Sequence, residues 1–310
     1  MPWLRFAVGP FERSTEKAGR VLSTTARGAA YRSGIHLFQQ SFLAIAIGAL
    51  MATVPNTASI AADRPSCNAP KAIADLEAPL SGLANLVERG REIRIVALGS
   101  SSTEGTGASS KQAAYPARFD RAMDTLFPGK DFQVSNLGKG GELAGDMLLR
   151  LRRDVIPMKP ALVLWQTGVN DAIHGVDLAA FRQTLEVGIA AMKAAGIETV
   201  LVDPQFYPKS VTVARYAEFV SVMHQVARAH GVPVFRRYAI MQYLVSSGQL
   251  SVDALLWKDK FHLNDVSYAC LAELMANAVA AQIRNRATPT TVAQRPMMPA
   301  VRTDVETHDF

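Results

Sequence analysis

From about residue 72 onward, short apolar runs rich in Val, Ile and Leu alternate with longer amphipathic stretches. Segments 93–98, 132–134, 161–165, 199–202 and 232–235 read as strands. Segments 112–126, 141–155, 178–195 and 214–230 read as helices, and 266–283 as a closing helix. Strands and helices in strict alternation imply right-handed βαβ crossovers and a parallel sheet covered on both faces. The expected fold is therefore a three-layer α/β/α sandwich around a central, roughly five-stranded parallel sheet. In such a sheet the working residues sit on loops at the carboxyl ends of the strands.

The first sixty residues follow a different pattern. A basic stretch precedes the apolar run FLAIAIGALMATV at 42–54, and small residues follow around Ala58, Ser59, Ala61 and Ala62. That order is the layout of a secretory signal cleaved after Ala61 or Ala62. The apolar run falls short of the roughly 20 residues that cross a bilayer. Its basic lead is unusually long, which leaves an uncleaved anchor, a transit-type peptide or a later true start as alternatives. The expected organisation is a targeting segment at 1–61, a lead-in at 62–89, a main folded domain at 90–284 and a Pro-containing tail without fixed structure at 285–310.

Charge and cysteine content narrow the function classes. The formal net charge is +6, but residues 1–61 contribute six Lys/Arg against Glu12 and Glu16, so the rest holds 27 basic against 25 acidic residues. A body so nearly balanced lacks the basic excess of phosphate-dominated binding, which excludes nucleic acid as a partner. Membrane contact is expected only through the N-terminal segment. Cys67 and Cys270 are the two cysteines. They fit neither a metal site nor a disulfide scaffold; they form one bridge in an oxidising compartment or stand as two thiols.

Four strand-end loops carry candidate chemistry. The first, Gly99-Ser100-Ser101-Ser102, suits a nucleophile turn with backbone N–H groups aimed at a developing oxyanion; it lacks the spacing and the lysine of a phosphate loop. The second holds Gly138, Gly140 and Gly141, which let the backbone approach a ligand closely or equally well serve a structural turn. The third, Gly168-Val169-Asn170-Asp171, offers an amide donor at Asn170 and a carboxylate at Asp171 that can tie down the loop or cap the next helix. In the last, Asp259 stands three residues before His262, so one loop can bring a carboxylate to the imidazole Nδ1 and leave Nε2 free. His174 lies near Asn170 and reads as a substrate-facing or surface residue.

Taken together and in this order, the four loops resemble the four blocks of the SGNH (GDSL-like) hydrolases over roughly residues 90–284. The resemblance implies a flavodoxin-like arrangement with Ser101 as nucleophile and with Asp259 and His262 completing the triad. It further implies an oxyanion hole built from the backbone N–H groups of Ser101 and Gly141 and the side chain of Asn170. Gly141 is preferred to Gly138 and Gly140 on the family's spacing. The family's first block usually has Asp between the Gly and the nucleophile, and here Ser100 takes that place. The expected activity is serine ester hydrolysis through an acyl-enzyme, on small acyl esters such as acetylated carbohydrates or lysolipids. Acyl transfer to sugar or peptidoglycan, or a non-catalytic carbohydrate-binding module, are the alternatives. No metal or organic cofactor is called for, the protein is expected in the periplasm or secreted, and oligomeric state is open. No long apolar lid is evident near 139–149 or 206–215, which favours short acyl groups.

Overall fold

The computed structural model describes residues 67–90 and 92–287. The expected targeting segment, its cleavage point and the tail beyond 287 lie outside the described residues. Five strands, β1 (Glu92–Gly99), β2 (Asp131–Gly138), β3 (Leu162–Gln166), β4 (Glu198–Val202) and β5 (Val234–Phe235), form one parallel sheet in the order β2-β1-β3-β4-β5. This is the α/β/α fold expected from the sequence.

The burial of each strand explains its place. β3 is buried at all five positions and β1 at its last five, as strands covered on both faces must be. β2 buries only Phe132. It is an edge strand, and two of its backbone N–H groups are occupied from the neighbouring helix: Phe132 donates to Asp124 at 3.0 Å and Val134 to Asp120 at 3.1 Å. β2 also runs four residues past the 132–134 segment read from sequence. Its polar end pairs with β1 as far as Gly138 opposite Gly99.

The helices sort into two packing groups, as right-handed crossovers demand. Ser81–Arg89, Tyr115–Leu126 and Asp265–Ala287 pack together, as do Ala144–Arg150, Leu178–Ala194 and Tyr216–His230. Gly188 on Leu178–Ala194 lets that helix lie against β3, because a Cβ there would come within 2.5 Å of the Trp165 ring. The segment expected as one helix over 141–155 divides into Ala144–Arg150, a π-helical turn Leu151–Val155 and a 3-10 turn Ile156–Met158. Asp265–Asn285 is long and apolar enough to cross a membrane, but it is mostly buried and belongs to the core of this domain. Cys270 on that helix is bonded to Cys67, with the Cα atoms 5.4 Å apart.

The chain leaves β1 for β2 on one side and crosses back to β3 on the other. The loop after β1 leads to the first group of helices and the loops after β2 and β3 to the second, so the chain parts at the carboxyl ends of the adjacent strands β1 and β3, the crevice where ligands bind in sheets of this kind.

Candidate active site

The crevice begins with a close approach. After Gly99 the chain turns at Ser100 and enters the short helix Ser101–Glu104, which lies across the ends of β1 and β2. Two glycines make room for it. A Cβ at Gly99 would sit 2.1 Å from Thr103 Oγ1, and one at Gly138 would sit 2.0 Å from the Glu104 backbone nitrogen.

Gln166, fully buried at the end of β3, clamps this turn. Its Oε1 accepts the Ser100 N–H at 3.0 Å and the Thr103 hydroxyl at 3.0 Å, and its Nε2 donates to Ser100 Oγ at 3.2 Å. Ser100, standing where an Asp is usual in the family, is thus a buried partner of Gln166. Sequence reading missed Gln166, because its partners lie more than sixty residues earlier and a glutamine ending an apolar strand has no local signature.

The last loop reaches the same place from the other end of the chain. Leu256 and Leu263 form an antiparallel bridge, and Trp257 N–H donates to the His262 carbonyl at 2.7 Å, so residues 256–263 close into a tight turn. Asn264 caps the helix that follows, its Oδ1 accepting the N–H groups of Val266 and Ser267. Inside the turn, Asp259 Oδ1 accepts the N–H groups of Phe261 at 3.0 Å and His262 at 2.9 Å. Asp259 Oδ2 lies 2.6 Å from His262 Nδ1, and His262 Nε2 lies 2.9 Å from Ser101 Oγ. Ser101, His262 and Asp259 form a continuous chain of contacts. Partial burial raises the Asp259 carboxyl, but the hydrogen bonds from the His262 ring and the two backbone N–H groups outweigh it and hold the group below its ordinary value.

The other two loops frame Ser101. Asn170, on the short helix Val169–Ile173, donates through Nδ2 to the Glu142 carbonyl at 2.8 Å. Glu142 is buried and paired with Arg150 and Lys139. Asp171 ties the two loops together by accepting the N–H groups of Ala144 at 3.0 Å and Gly168 at 3.2 Å; burial pushes its carboxyl up from the ordinary value. Among the three glycines of the second loop, Gly138 donates its N–H to Asn136 Oδ1 and Gly140 to Glu104 Oε2. Gly141 sits in the left-handed region at φ +77° with open space where a Cβ would point, and its N–H donates to no described residue. His174 is exposed at the end of the Asn170 helix. Among the described residues no group of three or more His, Cys, Asp or Glu is arranged to hold a metal ion.

A fold of this topology, with a serine, histidine and aspartate linked at its switch point, defines the class of SGNH-like ester hydrolases. The model of the Non-GDSL lipase-like family matches residues 66–285, and the chain belongs to that family. No curated protein matches it. Among solved structures it is similar to a two-domain esterase active on acetylated mannans, with 22% identity and a TM-score of 0.57. That match covers 68% of this chain and 56% of the other, so this chain spans little more than half of that protein. It is also similar to a lipase/acylhydrolase from Enterococcus faecalis, with 27% identity, a TM-score of 0.53, and coverage of 61% and 96%. An acetyl xylan esterase shares the fold at 20% identity and a TM-score of 0.53, with coverage of 60% and 100%.

Proposed function

We propose that this protein is an exported serine esterase that removes short acyl groups from carbohydrate esters. The observation that carries the reading is the relay of short contacts, 2.9 Å from Ser101 Oγ to His262 Nε2 and 2.6 Å from His262 Nδ1 to Asp259 Oδ2. His262 Nε2 takes the hydroxyl proton as Ser101 Oγ attacks the ester carbonyl, and ionised Asp259 fixes the tautomer and stabilises the imidazolium. The proton then passes to the leaving alkoxide, which departs as the sugar alcohol and leaves Ser101 acylated. Water, deprotonated by His262, attacks the acyl-enzyme, and the carboxylic acid is released as Ser101 Oγ takes the proton back.

The tetrahedral oxyanion is held by three donors: the N–H groups of Ser101 and Gly141 and the Asn170 amide. Ser101 is the first residue of its helix, so its N–H has no intrahelical acceptor. Gly141 is preferred to Gly138 and Gly140 because their N–H groups are already engaged. Carbohydrate acetates are the favoured substrates because two proteins that share the fold are described as esterases of acetylated mannans and of acetyl xylan. Export is supported by the bond between Cys67 and Cys270, which persists in an oxidising compartment.

A panel of 4-nitrophenyl esters followed by acetyl-xylan and acetylated mannan tests the reading. Acyl groups of two to four carbons should turn over fastest, and Ser101→Ala and His262→Ala should each abolish hydrolysis while His174→Ala keeps most of it. Rates rising steadily to twelve carbons would overturn the short-acyl assignment. Mass spectrometry of protein from the native cell envelope should give a chain beginning after Ala61 or Ala62; a full-length mass would favour an anchor.

A further inference from the structure

The loop after β4 carries none of the four blocks, yet it joins the two halves of the site. Gln205 in this loop is 1% exposed, and both ends of its side-chain amide are used. Oε1 accepts the Ser102 hydroxyl at 2.7 Å, and Nε2 donates to the Phe261 carbonyl at 3.0 Å. Ser102 adjoins the nucleophile and Phe261 adjoins the base, 103 and 56 residues away in sequence. Gln205 is itself fixed, because its backbone carbonyl accepts the buried Tyr216 hydroxyl at 2.7 Å. Two residues on, the Tyr207 ring meets Phe261 edge-on at 4.8 Å, and Phe261 meets the His262 ring edge-on at 4.7 Å.

We infer that Gln205 is a positioning residue that sets the separation between Ser101 Oγ and His262 Nε2, an inference resting on the triad proposed above. The nucleophile and the base come from opposite ends of the domain, 161 residues apart, so no local turn fixes the gap between them. The link needs an acceptor facing Ser102 and a donor facing Phe261, which an amide supplies at its two ends. A carboxylate there would set a second acceptor, and a buried charge, against the Phe261 carbonyl. An apolar side chain would leave both partners unsatisfied.

The test uses the full chain with its disulfide intact and compares Gln205→Met, Gln205→Glu, Ser102→Ala and the double variant Ser102→Ala/Gln205→Met, with the folded fraction measured by circular dichroism. A displacement of the order of 1 Å costs about 10²-fold, so both Gln205 variants should lower kcat on 4-nitrophenyl acetate about 30- to 100-fold with KM within about twofold. The double variant should lose no more than Gln205→Met alone, because the two substitutions break one link. A second readout does not depend on turnover: in ¹⁵N spectra of the histidine rings, Gln205→Met should move the His262 Nε2 resonance in the direction that Ser101→Ala moves it. Folded Gln205 variants with kcat within twofold of wild type and an unmoved Nε2 resonance would overturn the inference, as would losses that multiply in the double variant. Wild-type turnover in Ser101→Ala would instead refute the triad reading, and the resonance comparison would then decide alone whether Gln205 sets the contact.

Discussion

Asn170→Ala tests the oxyanion role proposed for Asn170 separately from its hydrogen bond to Glu142. One Nδ2 hydrogen is committed to the Glu142 carbonyl at 2.8 Å, which leaves the second for the oxyanion. Removing a donor used mainly in the transition state costs about 2.7–4 kcal/mol, so kcat should fall about 10²- to 10³-fold with KM largely unchanged. The same truncation leaves the carbonyl of Glu142, a buried residue, without its partner, which costs about 1–3 kcal/mol of stability. The two losses are read separately, by steady-state hydrolysis of 4-nitrophenyl acetate and by urea unfolding. Asn170→Asp adds a discriminating arm, because a carboxylate donates to neither partner and repels the oxyanion; its kcat should lie at or below that of Asn170→Ala. A raised KM with unchanged kcat in Asn170→Ala would refute the reasoning and make Asn170 a ground-state substrate contact.

Asp259→Asn should lower kcat about 10⁴-fold by favouring the wrong imidazole tautomer, measured on the same ester. Because the folded Asp259 carboxyl lies below its ordinary value, its contribution to stability is present above about pH 4 and is lost as pH falls through the folded value. Acid unfolding of Asp259→Asn should therefore be flatter in that window, and a profile identical to wild type would count against the hydrogen bonds drawn to Asp259. Reducing the Cys67–Cys270 bond, which spans 203 residues, removes up to about 5 kcal/mol on chain entropy alone; urea midpoints that coincide with and without reductant would contradict this. Gly138→Ala should disable the enzyme by displacing the nucleophile helix, whereas Gly141→Ala meets no neighbour and pays mainly the strain of its positive φ, of order 1–2 kcal/mol. Labelling of Ser101 by a phosphonate probe distinguishes the two.

Much of this architecture was legible in the sequence because burial writes itself into apolar runs. β1, β3 and β4 fall within a residue or so of the apolar segments read for them, since strands covered on both faces must be continuously apolar. β2 was read four residues short because Ser135, Asn136 and Gly138 belong to an edge strand, where pairing with β1 rather than burial holds the strand. Arg237–Ser246 was missed altogether: its apolar positions show no clean face, and its first residue is an arginine that is buried against the Asp203 carbonyl. At the site, residues that act through spacing within one loop, such as Asp259 and His262, could be seen in the sequence. Gln166 and Gln205 could not, because each works through partners brought close only by the sheet, and a buried glutamine looks locally like any polar residue.

The aspartates on the Tyr115–Leu126 helix limit what the edge of the sheet can pair with. By occupying the Phe132 and Val134 N–H groups, Asp124 and Asp120 deny β2 to a strand from another molecule. The opposite margin, β5, is only two residues long and offers little ladder to extend. Among the described residues, both margins of the sheet are thus poorly suited to strand pairing with a second copy.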